Sequence, residues 1–293
     1  MLSTSHKITI ARGLSASVLY VRSLFGLPTE VVATRRGLTW SLNLKEGIDL
    51  AIYILGGFEL RTLRRYSQLI KAGDVVLDIG ANVGAHTMPL AQLVGNNGKV
   101  YSFEPTAYAF AKQRTNIALN PTLISRISAH QMMLMATDTA PLPKFVYSSW
   151  PLEAAEDLHS EHHGRLMETH GSITGTLDSF VQNAGINHID FIKLDVDGNE
   201  NDVLAGAKAV LENSKPKIML ELAPYVYKSV PHKFDELLDD LWRMGYQVSD
   251  MATGRQLPQN SAAIRALVPE AGGLNVLAAT PRLAAYESLS ERL

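Results

Sequence analysis

The residues of this chain whose types and spacing could do chemistry begin with Asp78-Ile79-Gly80-Ala81-Asn82-Val83-Gly84 and continue at Glu104. Gly80 and Gly84 let the backbone turn sharply and approach a ligand without a Cβ in the way, and Asn82 tolerates a left-handed conformation. Glu104 ends a second strand, where a carboxylate can accept hydrogen bonds from both hydroxyls of a ribose. The pair implies a nucleoside-containing ligand. A dinucleotide needs the spacing G-x-G-x-x-G so that a helix N-terminus meets the pyrophosphate. The spacing here is D-x-G-x-N-x-G, and Asp78 would repel phosphate while orienting an ammonium group. That favours S-adenosylmethionine, which carries an amino acid and a sulfonium in place of a pyrophosphate. Three competing readings stand beside it: a tight turn with no ligand, a nicotinamide-dependent oxidoreductase on a related fold, and a non-catalytic domain that keeps the nucleoside pocket for interaction.

Positioning these residues takes regular elements, and the pattern around them supplies strand–helix alternation. Val75 to Ile79 is a short apolar run stopped by Gly80, as in a buried parallel strand. A helix is expected from about Gly84 to Val94, a strand over Lys99 to Glu104, and a helix over Ala107 to Leu119. Ser125 to Met135 reads as a third strand. The stretch from about Ala136 to Gly175, with Pro141, Pro143 and Pro151, breaks the rhythm and reads as an irregular insertion. Alternation returns with helix Leu177 to Asn183, strand Ile189 to Asp195, helix Asn201 to Leu211, strand Ile218 to Leu222 and helix Lys233 to Met244. Two final strands follow, Gln247 to Asp250 and Leu274 to Ala279. Such repeats imply an α/β doubly wound sheet with ligands beyond the C-terminal strand ends.

The rest of the composition narrows the field. The chain has 293 residues, 46% hydrophobic and 19% charged, enough to bury a full core. Lys and Arg number 27 against 29 Asp and Glu, with no basic block, so the footprint of a nucleic-acid binder is missing. The absence of Cys removes disulfides, thiolate metal sites and a Cys nucleophile. Leu14 to Pro28 is interrupted by Arg22, is too short to cross a bilayer and has no signal-type cleavage site after it. The expectation is a cytoplasmic protein without a transmembrane segment, its N-terminal helix packed on the core or on a partner.

Taken together, the Asp78 to Gly84 turn, Phe103-Glu104-Pro105 and Asn116 resemble the FkbM-type S-adenosylmethionine-dependent methyltransferases. Thr176-Leu177-Asp178-Ser179-Phe180 resembles that family's T-L-D-x-F stretch. Asp190-Phe191-Ile192-Lys193-Leu194-Asp195-Val196-Asp197-Gly198-Asn199-Glu200 resembles its D-x-I-K-x-D-x-x-G-x-E signature, and Val203 to Ala207 and Glu221 continue the match. Gly56-Gly57-Phe58-Glu59 resembles the glycine-then-acid stretch before the first strand. Asp197 stands where Glu is common and Ala85-His86 where an aromatic pair is common. The resemblance implies a class I, Rossmann-like sheet of seven strands, the last antiparallel, with an insertion after strand three. It implies O-methylation of a hydroxyl on a sugar, glycolipid or polyketide-like acceptor. The division expected is residues 1–70 as a helical and strand extension on the core, and 71–282 as the cofactor domain, with 136–175 as a substrate lid. The cofactor-binding set expected is Glu59, Asp78, Gly80, Asn82, Gly84, Thr87, Glu104, Pro105, Asn116 and Asp195.

Methyl transfer to a hydroxyl is an in-line displacement that rests largely on positioning, helped by a base within hydrogen-bond reach of the hydroxyl. Asp195, ending its strand at the crevice, is the first candidate. Lys193 shares a face with it and could pair with it. Glu221 and His86 are further candidates. Asp195, Asp197, Glu200 and Glu221 could together hold Mg²⁺, although the resemblance does not require a metal; helix capping is the plainer role for Asp197 and Glu200. His159, His162 and His163 sit in a polar stretch that reads as a solvated loop, not a zinc site. Tyr147 and Trp150 offer flat surfaces to a sugar or ring, if they are not core.

Overall fold

The computed structural model describes residues 4–148, 152, 164–269 and 272–281, with the side chains of the first helix from Ile10 onward. That helix, α1 (Thr4–Leu24), leads into a hairpin of β1 (Glu30–Arg35) and β2 (Leu38–Asn43). The two residues of its tight turn, Arg36 and Gly37, both have positive φ, at 52° and 76°, which matches the twist of the flanking strands. β2 points Leu38, Trp40 and Leu42 inward, each nearly inaccessible. Helices α2 (Gly47–Leu55) and α3 (Leu60–Leu69) complete the N-terminal part.

The central sheet begins with β3 (Val75–Ile79), α4 (Thr87–Leu93), β4 (Lys99–Phe103), α5 (Ala107–Ala118) and β5 (Ile127–His130). Three short strands follow, β6 (Met132–Leu134), β7 (Phe145–Ser148) and β8 (Arg165–Glu168), then β9 (Ile173–Gly175) and α6 (Leu177–Asn183). The chain continues through β10 (Phe191–Leu194), α7 (Glu200–Ala205), α8 (Lys208–Ser214), β11 (Lys217–Leu222), α9 (His232–Arg243), β12 (Gln247–Asp250), α10 (Ser261–Leu267) and β13 (Leu274–Ala279). Seven strands form one sheet in the order β12-β13-β11-β10-β3-β4-β5. β13 runs antiparallel to both its neighbours, and the pairs from β11 to β5 are parallel. This is the doubly wound sheet, with one antiparallel strand, that the sequence implies.

Three expectations need correction. Ser125 to Met135 is not one strand: a 3-10 helix over Pro121–Arg126 precedes β5, and the chain then leaves the sheet at Gln131 so that β6 pairs with β9. The helix expected over Asn201 to Leu211 is two, because Asp178 intervenes: its N–H donates to the carbonyl of Gly206 and its carboxylate accepts from the N–H groups of Ala209 and Val210. The insertion is more regular than its prolines suggest, for β7 and β8 pair as an antiparallel hairpin. Trp150 and His159, His162 and His163 lie outside the described residues.

Period-2 alternation divides the sheet's side chains between two cores. Leu77, Ile79, Ile192, Leu194, Ile218, Leu220 and Val276 pack under α6 to α10. On the other face Val76, Val100, Phe191, Met219 and Leu277 pack under the N-terminal elements and α4. Two residues further along the parallel strands this second face turns polar. Ser102, Asp78 and Lys193 stand side by side across β4, β3 and β10, and Glu221 stands opposite Asn275.

Candidate active site

Lys193 is the hub of that polar row. It is 2% exposed, donates to the carbonyl of Gly80 at 2.8 Å, and lies 3.4 Å from both Asp78 Oδ1 and Asp195 Oδ2. Burial works against its charge, but Asp195, Asp78 and Glu59 outweigh that and hold the ammonium group above its ordinary pKa. Asp78 is inaccessible; its other oxygen accepts from Thr87 Oγ1 at 2.6 Å, and Thr87 in turn accepts from Gln113 Nε2 at 3.2 Å. Asp195 stands just past β10 with its side chain 35% exposed, so it pairs with Lys193 on one side and meets the crevice on the other.

The turn after β3 is held from three directions. Gly80 has φ of 78°, and a Cβ there would fall 1.8 Å from the carbonyl oxygen of Asp195. Its lack of a side chain therefore makes room for the neighbouring backbone. Asn82 is left-handed at φ 48°, and its N–H donates to Glu104 Oε2 at 2.9 Å. Gly84, at φ 88°, faces Gln113. Asn116 is inaccessible: its oxygen accepts from the N–H of Ser41 and its nitrogen donates to the carbonyl of Val83. Thr87 and Asn116, expected to face the cofactor, thus lie behind the turn and hold it. Glu104 also accepts from the N–H and hydroxyl of Thr106, through Oε1. Burial raises its pKa despite these bonds. Oε2 receives one donor in this set, which leaves it further acceptor capacity. Pro105 then leads into α5, its carbonyl 3.5 Å from Gln131 Nε2.

The N-terminal part forms the opposite wall. Glu59 has a left-handed φ of 49°, an uncommon conformation for such a residue. Its Oε2 accepts from Asn275 Nδ2 at 2.9 Å and from Thr62 Oγ1 at 3.2 Å. Burial, then the nearby Asp195, raise its pKa. His86, 3.9 Å from Glu59, is hydrogen-bonded to Tyr66 at 2.9 Å through Nδ1. Burial and Lys193 push His86 down to about 3, so it is neutral at ordinary pH. Tyr66, Thr62 and Asn275 escaped the sequence reading, although a lone Asn in the apolar run Leu274 to Ala279 is a legible signal.

Beyond β10 and β11 the acids separate by role. Glu200 is buried and accepts from the N–H groups of Val196 and Gly198 and from the hydroxyl of Tyr227. It holds the loop before α7 and does not cap the helix, which has no side-chain cap. Glu221 is half-buried with the backbone of Gly273 packed against its carboxylate, and its pKa is raised well above normal by burial and then by Asp195 and Glu59. Among the described residues no group of three His, Asp or Glu side chains has the arrangement to hold a metal ion. Asp195, Glu59 and Glu221 thus gather around an ammonium already engaged by Gly80, Asp78 and Asp195, and burial with their mutual repulsion favours the protonated form of Glu59 and Glu221.

A sheet in this strand order, with antiparallel β13 and an acid-lined crevice past the parallel strand ends, is the class I methyltransferase fold. The model of the methyltransferase FkbM domain matches residues 78–248, more than half of the chain, and the protein belongs to that family of S-adenosylmethionine-dependent methyltransferases. A curated protein of Saccharolobus solfataricus named "Probable cobalt-precorrin-6B C(15)-methyltransferase (decarboxylating)" is 41% identical over 58 residues, which are 20% of this chain and 29% of that protein. The chain thus matches under a third of that relative's length. Among solved structures, a methyltransferase FkbM from Methylobacillus flagellatus KT aligns with a TM-score of 0.42 and 18% identity over 76% of this chain and 48% of its own. A S-adenosylmethionine-dependent methyltransferase from Aquifex aeolicus aligns with a TM-score of 0.40 and 14% identity over 79% of this chain and 93% of its own.

Proposed function

We propose that this protein transfers a methyl group from S-adenosylmethionine to a hydroxyl of a sugar, glycolipid or polyketide-like acceptor, with Asp195 taking the hydroxyl proton. The observation that carries the reading is the excess of carboxylate around Lys193, which suits a donor bearing a sulfonium and an ammonium group. When bound, that donor supplies a methyl group already activated by positive sulfur. Glu104 would hold its ribose, with the Asp78 to Gly84 turn beside it. Glu59 and Glu221 would add negative charge as they ionise. Lys193 fixes the carboxylate of Asp195, and Asp195 alone combines exposure to the crevice with that anchoring. His86, kept neutral and tied to Tyr66, forms wall.

In this reading 71–282 is the cofactor domain, 1–70 an extension on it and 136–175 a lid, whose hairpin exposes Phe145, Tyr147 and Leu166. No helix among the described residues is long and apolar enough to cross a membrane; we place the protein in the cytoplasm. A net charge of −2 and an acidic crevice argue against a nucleic-acid acceptor.

Calorimetry and turnover with labelled donor test this. Glu104→Ala should weaken S-adenosylhomocysteine binding by about 10- to 100-fold, the loss of hydrogen bonds to a charged group. Asp195→Asn should keep donor affinity and slow methyl transfer by about 10²- to 10⁴-fold. Folded wild type that binds NAD in place of S-adenosylhomocysteine would overturn the donor. Donor binding with no turnover across a broad hydroxyl panel would make the domain non-catalytic.

A further inference from the structure

Residues 1–72 hold ten Lys and Arg against four Asp and Glu, a net of +6, which leaves −8 for residues 73–293 in a chain of −2. The same part carries ten of the eighteen large apolar side chains that are exposed among the described residues. Helix α1 docks by one face only: Ser15 is buried and donates to the carbonyl of Leu44 at 2.9 Å, with Val18 and Leu19 packed on the core beside it. Its opposite face presents Ile10, Leu14, Val21 and Leu24, spaced as one helical stripe and all exposed. Ser17, the polar residue within that stripe, turns its hydroxyl back to the carbonyl of Gly13. The stripe runs on into Phe25, 74% exposed, and Leu27. Three arginines meet this surface at the end of α2. Arg22 donates to the carbonyl of Pro28 and lies 6.0 Å over the ring of Tyr53. Arg35 donates to the carbonyl of Tyr53 and lies 4.8 Å over the same ring. A Cβ at Gly56 would lie 3.2 Å from Arg36 Nε, so Arg36 rests beside the exposed Ile54 and Leu55. Among the described residues no carboxylate pairs with any of the three.

We infer that the N-terminal part is a docking surface for an anionic lipid bilayer, with α1 lying in the plane of the headgroups. The stripe, Phe25 and Leu27 enter the boundary between headgroups and acyl chains, as the apolar side of an interfacial helix does. Arg22, Arg35 and Arg36 meet lipid phosphates. Charge selects this occupant. A second copy of the chain would set one basic patch against another, whereas an anionic surface attracts the +6 part and repels the −8 remainder, which also fixes which side faces the lipid. The inference does not depend on the donor or acceptor that the crevice takes.

Co-sedimentation of the full chain with vesicles tests it, comparing phosphatidylcholine alone with phosphatidylcholine containing about a third phosphatidylglycerol. Wild type should partition at least about tenfold more into the anionic vesicles, and that preference should shrink as salt rises from about 0.05 to 0.5 M. Leu24→Ser combined with Phe25→Ser, both at exposed positions, should lower partitioning into anionic vesicles by about tenfold or more. Arg36→Glu should lower it by about fivefold or more and leave the phosphatidylcholine value unchanged. Both variants should unfold in urea as wild type does. Equal partitioning into the two compositions, no partitioning into anionic vesicles, or partitioning that the double serine variant leaves unchanged overturns the inference; Arg36→Glu decides if the double variant does not fold. A wild type that sediments as a dimer, becomes a monomer in the double serine variant and ignores both vesicles would give the patch to a second copy and overturn the bilayer.

Discussion

The two faces of the central sheet are each covered by helices and each closely packed, yet they are built from different materials. Under α6 to α10 the strands present Leu77, Ile192, Leu194, Ile218 and Leu220 to Phe234, Leu237 and Leu241. Under the N-terminal elements the same strands begin apolar, with Val76, Phe191 and Met219, and end in Asp78, Lys193, Asp195 and Glu221. One face is held by transfer of apolar surface from water, which tolerates any well-fitting hydrocarbon. The other is held partly by charges that must balance. The contrast explains why both the adaptable chemistry and the N-terminal wall lie on the same side.

Substitutions on the two faces should therefore fail in different ways. Lys193→Met, the largest effect, leaves Asp78 buried without its cation and should cost about 3–5 kcal/mol in urea unfolding. Adding Asp78→Asn should restore part of that stability but no cofactor binding; equal losses in the single and double variants would mean that the row is not coupled. Next, Leu237→Ala on the apolar face should cost about 2–5 kcal/mol, yet the folded protein should bind S-adenosylhomocysteine as wild type does. A change in that affinity would break the division of labour.

The smallest effect is pH-dependent. Glu59, Glu104 and Glu221 have pKa values raised in the folded protein. The folded state therefore holds their protons more tightly than the unfolded state does. Their contribution to stability is complete below the ordinary glutamate value near 4.5 and is lost as pH rises through the raised values. The same ionisation builds negative charge in the crevice. The preference for S-adenosylmethionine over neutral-sulfur S-adenosylhomocysteine should grow as pH rises from the ordinary glutamate value through the raised ones, by up to about tenfold. A flat ratio in calorimetry across that range would remove the carboxylates from sulfonium recognition.

Much of the apolar face was legible in the sequence, because it is written in local runs: Val75 to Ile79, Ile189 to Asp195 and Leu274 to Ala279 each mark a strand of the sheet. The errors fell where a distant contact decides. Nothing near Gln131 says that the chain changes sheets there, and the break at Gly206 is set by Asp178, far back in the chain. In the site, Asp78, Glu104, Lys193 and Asp195 were readable from their positions at strand ends. The role of Asn116 was not, since its partners Ser41 and Val83 are 75 and 33 residues away. Tyr66 and Thr62 lie on a helix whose pairing with His86 and Asn275 no local pattern records.

The wall formed by α3 also bears on inheritance. The segment matched by the family model, 78–248, carries the turn, Glu104 and the whole Lys193 to Glu200 stretch. Glu59 and Thr62 lie before it and Asn275 after it, joined to one another by hydrogen bonds, and Tyr66, also before it, bonds His86 and Met219 within it. A chimera exchanging only that segment would unite one relative's donor turn with another's wall. Two lineages could share every residue of the motif and still diverge in the crevice, through positions that a motif comparison never reads.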